Sequence, residues 1–294
     1  MCGGATGAVV ATNDVSQCEV DKVIARAGDG LQIVRQRNLI FGNVPRPAMV
    51  GYGMVIDLEN PNAPALANAR WEIEPDYRIP AVRITITPDK SKTSVVHVVK
   101  VGRAWDEGPQ RGLNPKDVTD PRLVALRQAE MWIQPHAIVR AAAFTAKGLC
   151  PTGGTVAAPA KCPDNKVSVE GTNIINLTLY GGQYKVTLDK DNRPTTVSTT
   201  VNGQPLVATY SGYRDGKGMS GAANPGYDKI GVGGVDDIAN VTVPLDKYRY
   251  GVYYPDHVVQ TLGGKTVLDV KIMQGWTNKY TVFPDPELLK AASK

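Results

Sequence analysis

Residues 173–213, NIINLTLYGGQYKVTLDKDNRPTTVSTTVNGQPLVATYSGY, decide the fold. Apolar and polar side chains alternate there in segments of about eight residues, the period of a strand with one face buried and one wet. Turn signals separate the segments: Gly181-Gly182, the stretch from Asp189 to Pro194, and Asn202-Gly203, the last a strong two-residue hairpin signal. The pattern predicts strands at 166–169, 173–180, 183–188, 195–201 and 206–213. A final pair at 257–262 and 266–273 is closed by Gly263-Gly264-Lys265. Contiguous hairpins make an antiparallel meander.

Toward the N-terminus the alternation recurs. From Arg70 to Thr87, Trp71, Ile73, Val82, Ile84 and Ile86 face one way, and Glu72, Glu74, Arg83 and Thr85 the other, so one face is expected in the core and the other in water. Further strands are expected at 31–41, 49–58 and 93–104, with a loop from Asp106 to Lys116. A short helix from Val20 to Ala27 carries Val20, Val23, Ile24 and Ala27 on one stripe and ends at Gly28-Asp29-Gly30. The strongest helical region lies between Thr119 and Gly148. Asp120 is placed to cap a helix whose first position is Pro121, Pro135 interrupts it, and a second helix runs from His136 to Lys147, with Gly148 as its stop. The expected fold class is α+β, a large curved antiparallel sheet (half-barrel) wrapped around two or three helices. Residues 1–17 read as a flexible N-terminus, 18–283 as one sheet-and-helix domain and 284–294 as a C-terminal tail or linker.

Composition narrows the class. With 42 % hydrophobic and 21 % charged residues over 294 positions, the chain can bury a core. Its net charge of +5 is dispersed, and no segment interleaves basic and aromatic residues, which excludes a nucleic-acid surface. No apolar run reaches the roughly 18 residues of a membrane helix, and the N-terminus lacks the layout of a signal peptide. The four cysteines, Cys2, Cys18, Cys150 and Cys162, contain no Cys-x-x-Cys pair. Two local disulfides are the simplest reading and imply an oxidising compartment, periplasmic or secreted, with free buried thiols as the alternative. Met1-Cys2-Gly3-Gly4 also resembles the start of a lipoprotein, although lipidation of Cys2 would leave Cys18 unpaired.

Residues suited to chemistry are sparse. His97, His136 and His257 stand at no metal-ligand spacing. His97 shares a face with Val95 and Val99 and reads as a satisfied core or rim residue; His136 opens a helix whose dipole opposes its protonation. Glu72 and Glu74 have Arg70 and Arg83 as partners and read as a solvated charged face; Asp189 and Asp191 read as a turn. Asp228, Asp236, Asp237 and Asn240 offer oxygen ligands for a weakly held Ca²⁺. No nucleophile elbow, phosphate loop or dinucleotide fingerprint is present, so no cofactor and no catalytic residue is expected. Trp105, Trp132, Tyr213 and Tyr254 are the candidates for a ligand pocket or partner surface.

Three segments carry a resemblance: Trp132-Ile133-Gln134-Pro135-His136, then Tyr210-Ser211-Gly212-Tyr213-Arg214-Asp215, then Tyr254-Pro255-Asp256-His257-Val258-Val259-Gln260 with Gly263-Gly264-Lys265 and Leu268-Asp269. Over residues 18–283 the chain resembles the non-catalytic N-terminal region of exported bacterial metallo-β-lactamase-fold hydrolases, a region similar to the half-barrel of periplasmic lipoprotein carriers. The resemblance implies a binding or scaffold module, ancillary to a metallo-hydrolase domain or subunit or carrying a hydrophobic small molecule or lipid. The family's His-x-His-x-Asp-His metal cluster has no counterpart here, so no catalytic residue carries over. Two alternatives compete: a stand-alone hydrolase using His257, Asp256 and Tyr254 as an acid-base group, and a structural protein assembling through its sheet edges.

Overall fold

The meander is present, and the strands of the N-terminal half extend it into one sheet. The computed structural model describes residues 12–31, 48–59, 62, 64–76, 80–91, 93–108, 114–155, 158–215 and 253–276. Helices are α1 (Thr12–Gly30), α2 (Pro121–Trp132) and α3 (Pro135–Thr145). The N-terminal strands are β1 (Ala48–Val55), β2 (Leu66–Asp76), β3 (Ala81–Thr87), β4 (Val95–Lys100), β5 (Arg103–Glu107) and β6 (Lys116–Asp117). After the helices come β7 (Leu149–Thr155), β8 (Ala158–Lys161), β9 (Lys166–Glu170), β10 (Ile174–Leu179), β11 (Gly182–Leu188), β12 (Pro194–Val201) and β13 (Gln204–Ser211). The last are β14 (Arg214–Asp215), β15 (Tyr253–Tyr254), β16 (His257–Leu262) and β17 (Lys265–Trp276). Thirteen of them form an open antiparallel sheet in the order β6-β5-β4-β3-β2-β1-β17-β16-β13-β12-β11-β10-β9.

The helices fix the curvature. α2 touches β4 and β5 on one side and β12 on the other, although β4 and β12 stand seven places apart in the sheet. Laid flat, seven strand spacings would cover roughly 34 Å, three times the width of a helix, so the sheet bends around α2. The bend encloses one contiguous core in which Ala27, Ile133, Ala137, Ile138, Ala141 and Ala142 from the helices are fully buried against strand residues such as Val82, Ile175, Val197 and Val270. Alanines let the backbone of α3 approach closely. The Tyr210 hydroxyl on β13 donates to Ile133 O at the end of α2 (2.7 Å), satisfying a carbonyl the helix cannot pair itself.

Several expectations hold residue by residue. Asp120 Oδ1 accepts from Arg122 N (2.8 Å) ahead of Pro121, and Gly148 ends the second helical region at φ +68°. Asn202 and Gly203 both take positive φ, the backbone a tight hairpin requires. The α1 stripe of Val20, Val23, Ile24 and Ala27 is buried, though the helix begins at Thr12. Cys150 and Cys162 form a disulfide, and Cys18 is also disulfide-bonded, while Cys2 lies outside the described residues. Of the strand expected over 31–41 only Leu31 is described, and it ends α1 with its N–H on Ala27 O (3.2 Å); the Ca²⁺ candidates Asp228, Asp236, Asp237 and Asn240 lie outside the described residues.

Other expectations are corrected. Residues 93–104 are not one strand: Gly102 at φ +75° turns the chain and makes β4 and β5 a hairpin, which moves Asp106 from a loop into β5. The β10–β11 turn is Tyr180-Gly181 rather than Gly181-Gly182. The stretch inside the disulfide forms the hairpin β7–β8 instead of an open loop. The second face of β2 and β3 is not wet. Glu72, Glu74 and Arg83 are all under 4 % exposed, because Arg83 forks onto Glu107 (2.8 and 2.9 Å) with Glu74 4.0 Å away, and Arg70 meets Glu72 at 2.7 Å.

The turn at 189–193 docks onto the end of α1. Asp189 Oδ1 accepts from Asp191 N and Arg193 N (both 2.8 Å), and Arg193 Nε donates to Gly30 O (3.3 Å) with its guanidinium 4.1 Å over the Tyr253 ring. A Cβ at Gly30 would stand 2.6 Å from Asn192 O and 2.7 Å from Asp191 O, both backbone atoms. Gly30→Ala is therefore expected to destabilise the protein by about 1–3 kcal/mol through overpacking. Urea unfolding of the wild type and the variant measures it.

Candidate functional site

Strands β9 to β13 form a cleft of about 1040 Å³. Register places Ser168, Asn176, Lys185, Ser198 and Val207 in one row across five strands, and Lys166, Thr178 and Gln183 in the next, beside the Thr200–Pro205 pair. These residues point away from Leu177, Tyr184 and Leu206, which supply the core, so the alternation that builds the sheet also supplies the cleft's hydroxyl and amide groups. Gln17, Thr145 at the end of α3, and Asn165 just before β9 complete the lining. No Asp, Glu, His or Cys is among the lining residues.

Two residues beside the cleft carry polar atoms that are closed to solvent and have no partner. Asn165 is 8 % exposed; its Oδ1 accepts from Tyr180 N (3.0 Å), which fixes the amide and leaves Nδ2 with no acceptor. Thr145, at 6 % exposure, has no hydrogen bond to Oγ1, where a helical threonine would ordinarily bond back to the preceding turn. The Cys150–Cys162 bridge holds this corner together: Cys162 N donates to Gly148 O (3.4 Å) and Asn165 N to Cys162 O (3.1 Å).

A second cluster sits under α2. Arg127 donates from Nε to Glu59 Oε1, from Nη1 to Trp105 O (2.7 Å) and from Nη2 to Asp106 Oδ1 (2.5 Å). His97, opposite Asp106 in the β4–β5 hairpin, has Nδ1 3.0 Å from Asp106 Oδ1 and Nε2 3.4 Å from Asp57 Oδ1. Burial pushes its pKa down, but the bonds to Asp106 and Asp57 outweigh burial and the opposing Arg127 charge, raising it to about 9. Burial pushes Asp106 up, and His97 and Arg127 more than reverse this, to about 2. Glu130, one turn along α2 from Arg127, is raised to about 8 chiefly by burial. His136 is lowered to about 4 by burial, which exceeds the effect of the bond from its Nε2 to Tyr253 O (2.8 Å). Among the described residues no group of three or more His, Cys, Asp and Glu is arranged to hold a metal.

The four aromatic candidates do not converge. Trp105 lies on the second face of β5 and donates to Glu107 Oε1 (3.3 Å); Trp132 ends α2 with its ring 6.3 Å from that of Tyr180. Tyr213 donates to Pro194 O (2.7 Å), and Tyr254 is fully buried with its ring 5.6 Å from that of His136. His257, Asp256 and Tyr254 are not brought together either: His257 Nε2 bonds Asp269 Oδ1 (2.6 Å), while Asp256 pairs with Arg214. No family model matches the chain, and no curated protein does.

Sequence reading missed both the cleft and the cluster. The cluster's signal is Arg127 and Glu130 at helical spacing, but the Gly, Pro and charge that follow Asp106 read as a loop and hide its place on β5. The cleft's signal was the row of Ser, Asn, Lys and Thr on the polar face of the meander, which looks the same as any solvated sheet face.

These shifts set the pH dependence of stability. Glu130 and His97 bind protons more tightly in the fold than the values of 4.5 and 6.5 they take when exposed. Their contributions are complete below those values and are lost as pH rises through about 8 and about 9. His136 acts in reverse, contributing fully above 6.5 and losing it as pH falls through about 4. Glu130 and His136 therefore offset each other between 4.5 and 6.5, and Tm is expected to fall from pH 6.5 to 9. Glu130→Gln should shallow that fall in a thermal scan across the range.

Proposed function

We propose that this chain is a non-catalytic binding or scaffold module of the periplasm or the extracellular space, ancillary to a metallo-β-lactamase-fold hydrolase, and that it binds through the β9–β13 cleft. The observation that carries the reading is the polar row that strand register leaves on the outer face of β9–β12, Ser168, Asn176, Lys185 and Ser198, lining a cleft whose walls include no Asp, Glu, His or Cys. A bent sheet closed over helices is also the arrangement the family resemblance implies. Disulfides suit an oxidising compartment, and among the described residues no helix is long and apolar enough to cross a membrane.

Two competing readings have less support. A hydrophobic ligand held between sheet and helices would need space that α2 and α3 already fill with core side chains. The edge strands β6 and β9 are two and five residues long and carry Lys116, Asp117, Lys166 and Glu170, features that discourage edge-to-edge assembly. The test is an activity screen of the intact chain against esters, phosphodiesters and β-lactams, with and without Zn²⁺. No turnover above background is expected. Turnover that disappears in His257→Ala or His97→Gln would overturn the proposal.

A further inference from the structure

We infer that β9, one edge of the thirteen-stranded sheet, is a dimerisation surface that pairs antiparallel with β9 of a second copy of this chain, about a two-fold axis at Ser168. Among the described residues the edge is open. There, β10 is the one strand on the β9 ladder, and no backbone hydrogen bond from a turn or loop reaches residues 166–170. The N–H and C=O groups on the far side of β9 are therefore available to another strand.

The sequence of the edge selects its partner. In Lys166-Val167-Ser168-Val169-Glu170, the positions two away from Ser168 carry opposite charges and the positions one away carry the same residue. Antiparallel pairing with Ser168 opposite the partner's Ser168 sets Lys166 against the partner's Glu170 and Val167 against the partner's Val169. The axis then repeats both pairs. Faces agree as well: Lys166, Ser168 and Glu170 are exposed on the outer face, while Val167 and Val169 are half-buried on the face packed against the core. Glu170 meets Lys185 of its own chain through Oε2 (3.6 Å), which leaves Oε1 for the partner's Lys166.

The same residues fix register and stoichiometry. A slip of one residue would bring charged side chains to the face of the valines, and a slip of two would lose both ion pairs. Charges that deter a strand of unrelated sequence thus admit one that presents them in the opposite order. Both copies use the same edge, and the opposite edge, β6, is two residues long, so assembly closes at two copies and does not run on into a filament. Pairing also enlarges the candidate site. Ser168 ends the outer-face row of Ser168, Asn176, Lys185 and Ser198, and the axis joins two such rows end to end.

Sedimentation velocity of the intact chain tests the assignment. The wild type is expected to be a dimer at about 100 µM and to dissociate, if at all, only on dilution. Lys166→Glu opposes two carboxylates at each end of the ladder, and Glu170→Lys opposes two ammonium groups; each should weaken dimerisation at least about tenfold. Mixed in equal amounts, the two variants should form a dimer with each other. In the mixed pair the two new side chains face one another with opposite charge, and the native ion pair remains at the other end. A folding defect in either variant would give no such rescue. A wild-type monomer at that concentration overturns the proposal, as does a dimer indifferent to the reversals or a mixture that stays monomeric. The module reading is decided separately by the turnover screen, so either can fail without the other.

Discussion

The pairing of β1 with β17 is the constraint on which the rest of the structure depends. It joins the first strand of the sheet in sequence to the last, and without it β1–β6 and the array of β9–β13, β16 and β17 would be two separate meanders. The join is tight. A Cβ at Gly51 would stand 3.0 Å from Lys271 O, one at Gly53 would collide with Asp269 O, and a register shift at Val50/Gly51 lets the strands follow the bend. Ile56 N donates to Val267 O (2.7 Å), carrying the ladder one step past β1. Only a continuous sheet can hold α2 between β4 and β12.

The two halves use the same strand alternation to opposite ends. In β2 to β5 both faces are buried, so Glu72, Glu74, Arg83 and Glu107 must be matched charge against charge, and Arg83 takes the forked geometry that a guanidinium offers a carboxylate. In β9 to β13 the second face stays accessible, and its Ser, Thr, Asn and Lys side chains line a cleft. The N-terminal half buries charged groups on its second face; the C-terminal half leaves Ser168 and Lys185 exposed on its own. That division follows from what packs on each face and from nothing in the hairpins themselves.

Local features were legible in the sequence where one residue type dictates one conformation. Asn202-Gly203 specified its hairpin, Asp120-Pro121 its helix start, and the α1 stripe its buried face. Features set by long-range packing were not. Glu72 and Arg83 carry the alternation of a wet face, and only the fold decides that the face is covered. The Tyr180-Gly181 turn was read one residue late because glycines mark positive φ more strongly than tyrosine does; Tyr180 holds φ +48° with its N–H tied to Asn165 Oδ1. The candidate site is less legible than the fold, since Ser168, Asn176, Lys185 and Ser198 read as any solvated sheet face and become one row only through strand register.

The β1–β17 seam also orders events in time. The strand that completes the sheet is made long after β1 has left the ribosome, so β1 has an open edge throughout most of synthesis. Contacts this distant in sequence form slowly, because the loop they close must be ordered first. The hairpins on either side can pair as soon as they are made, but the two arrays become one sheet only when the final strand arrives.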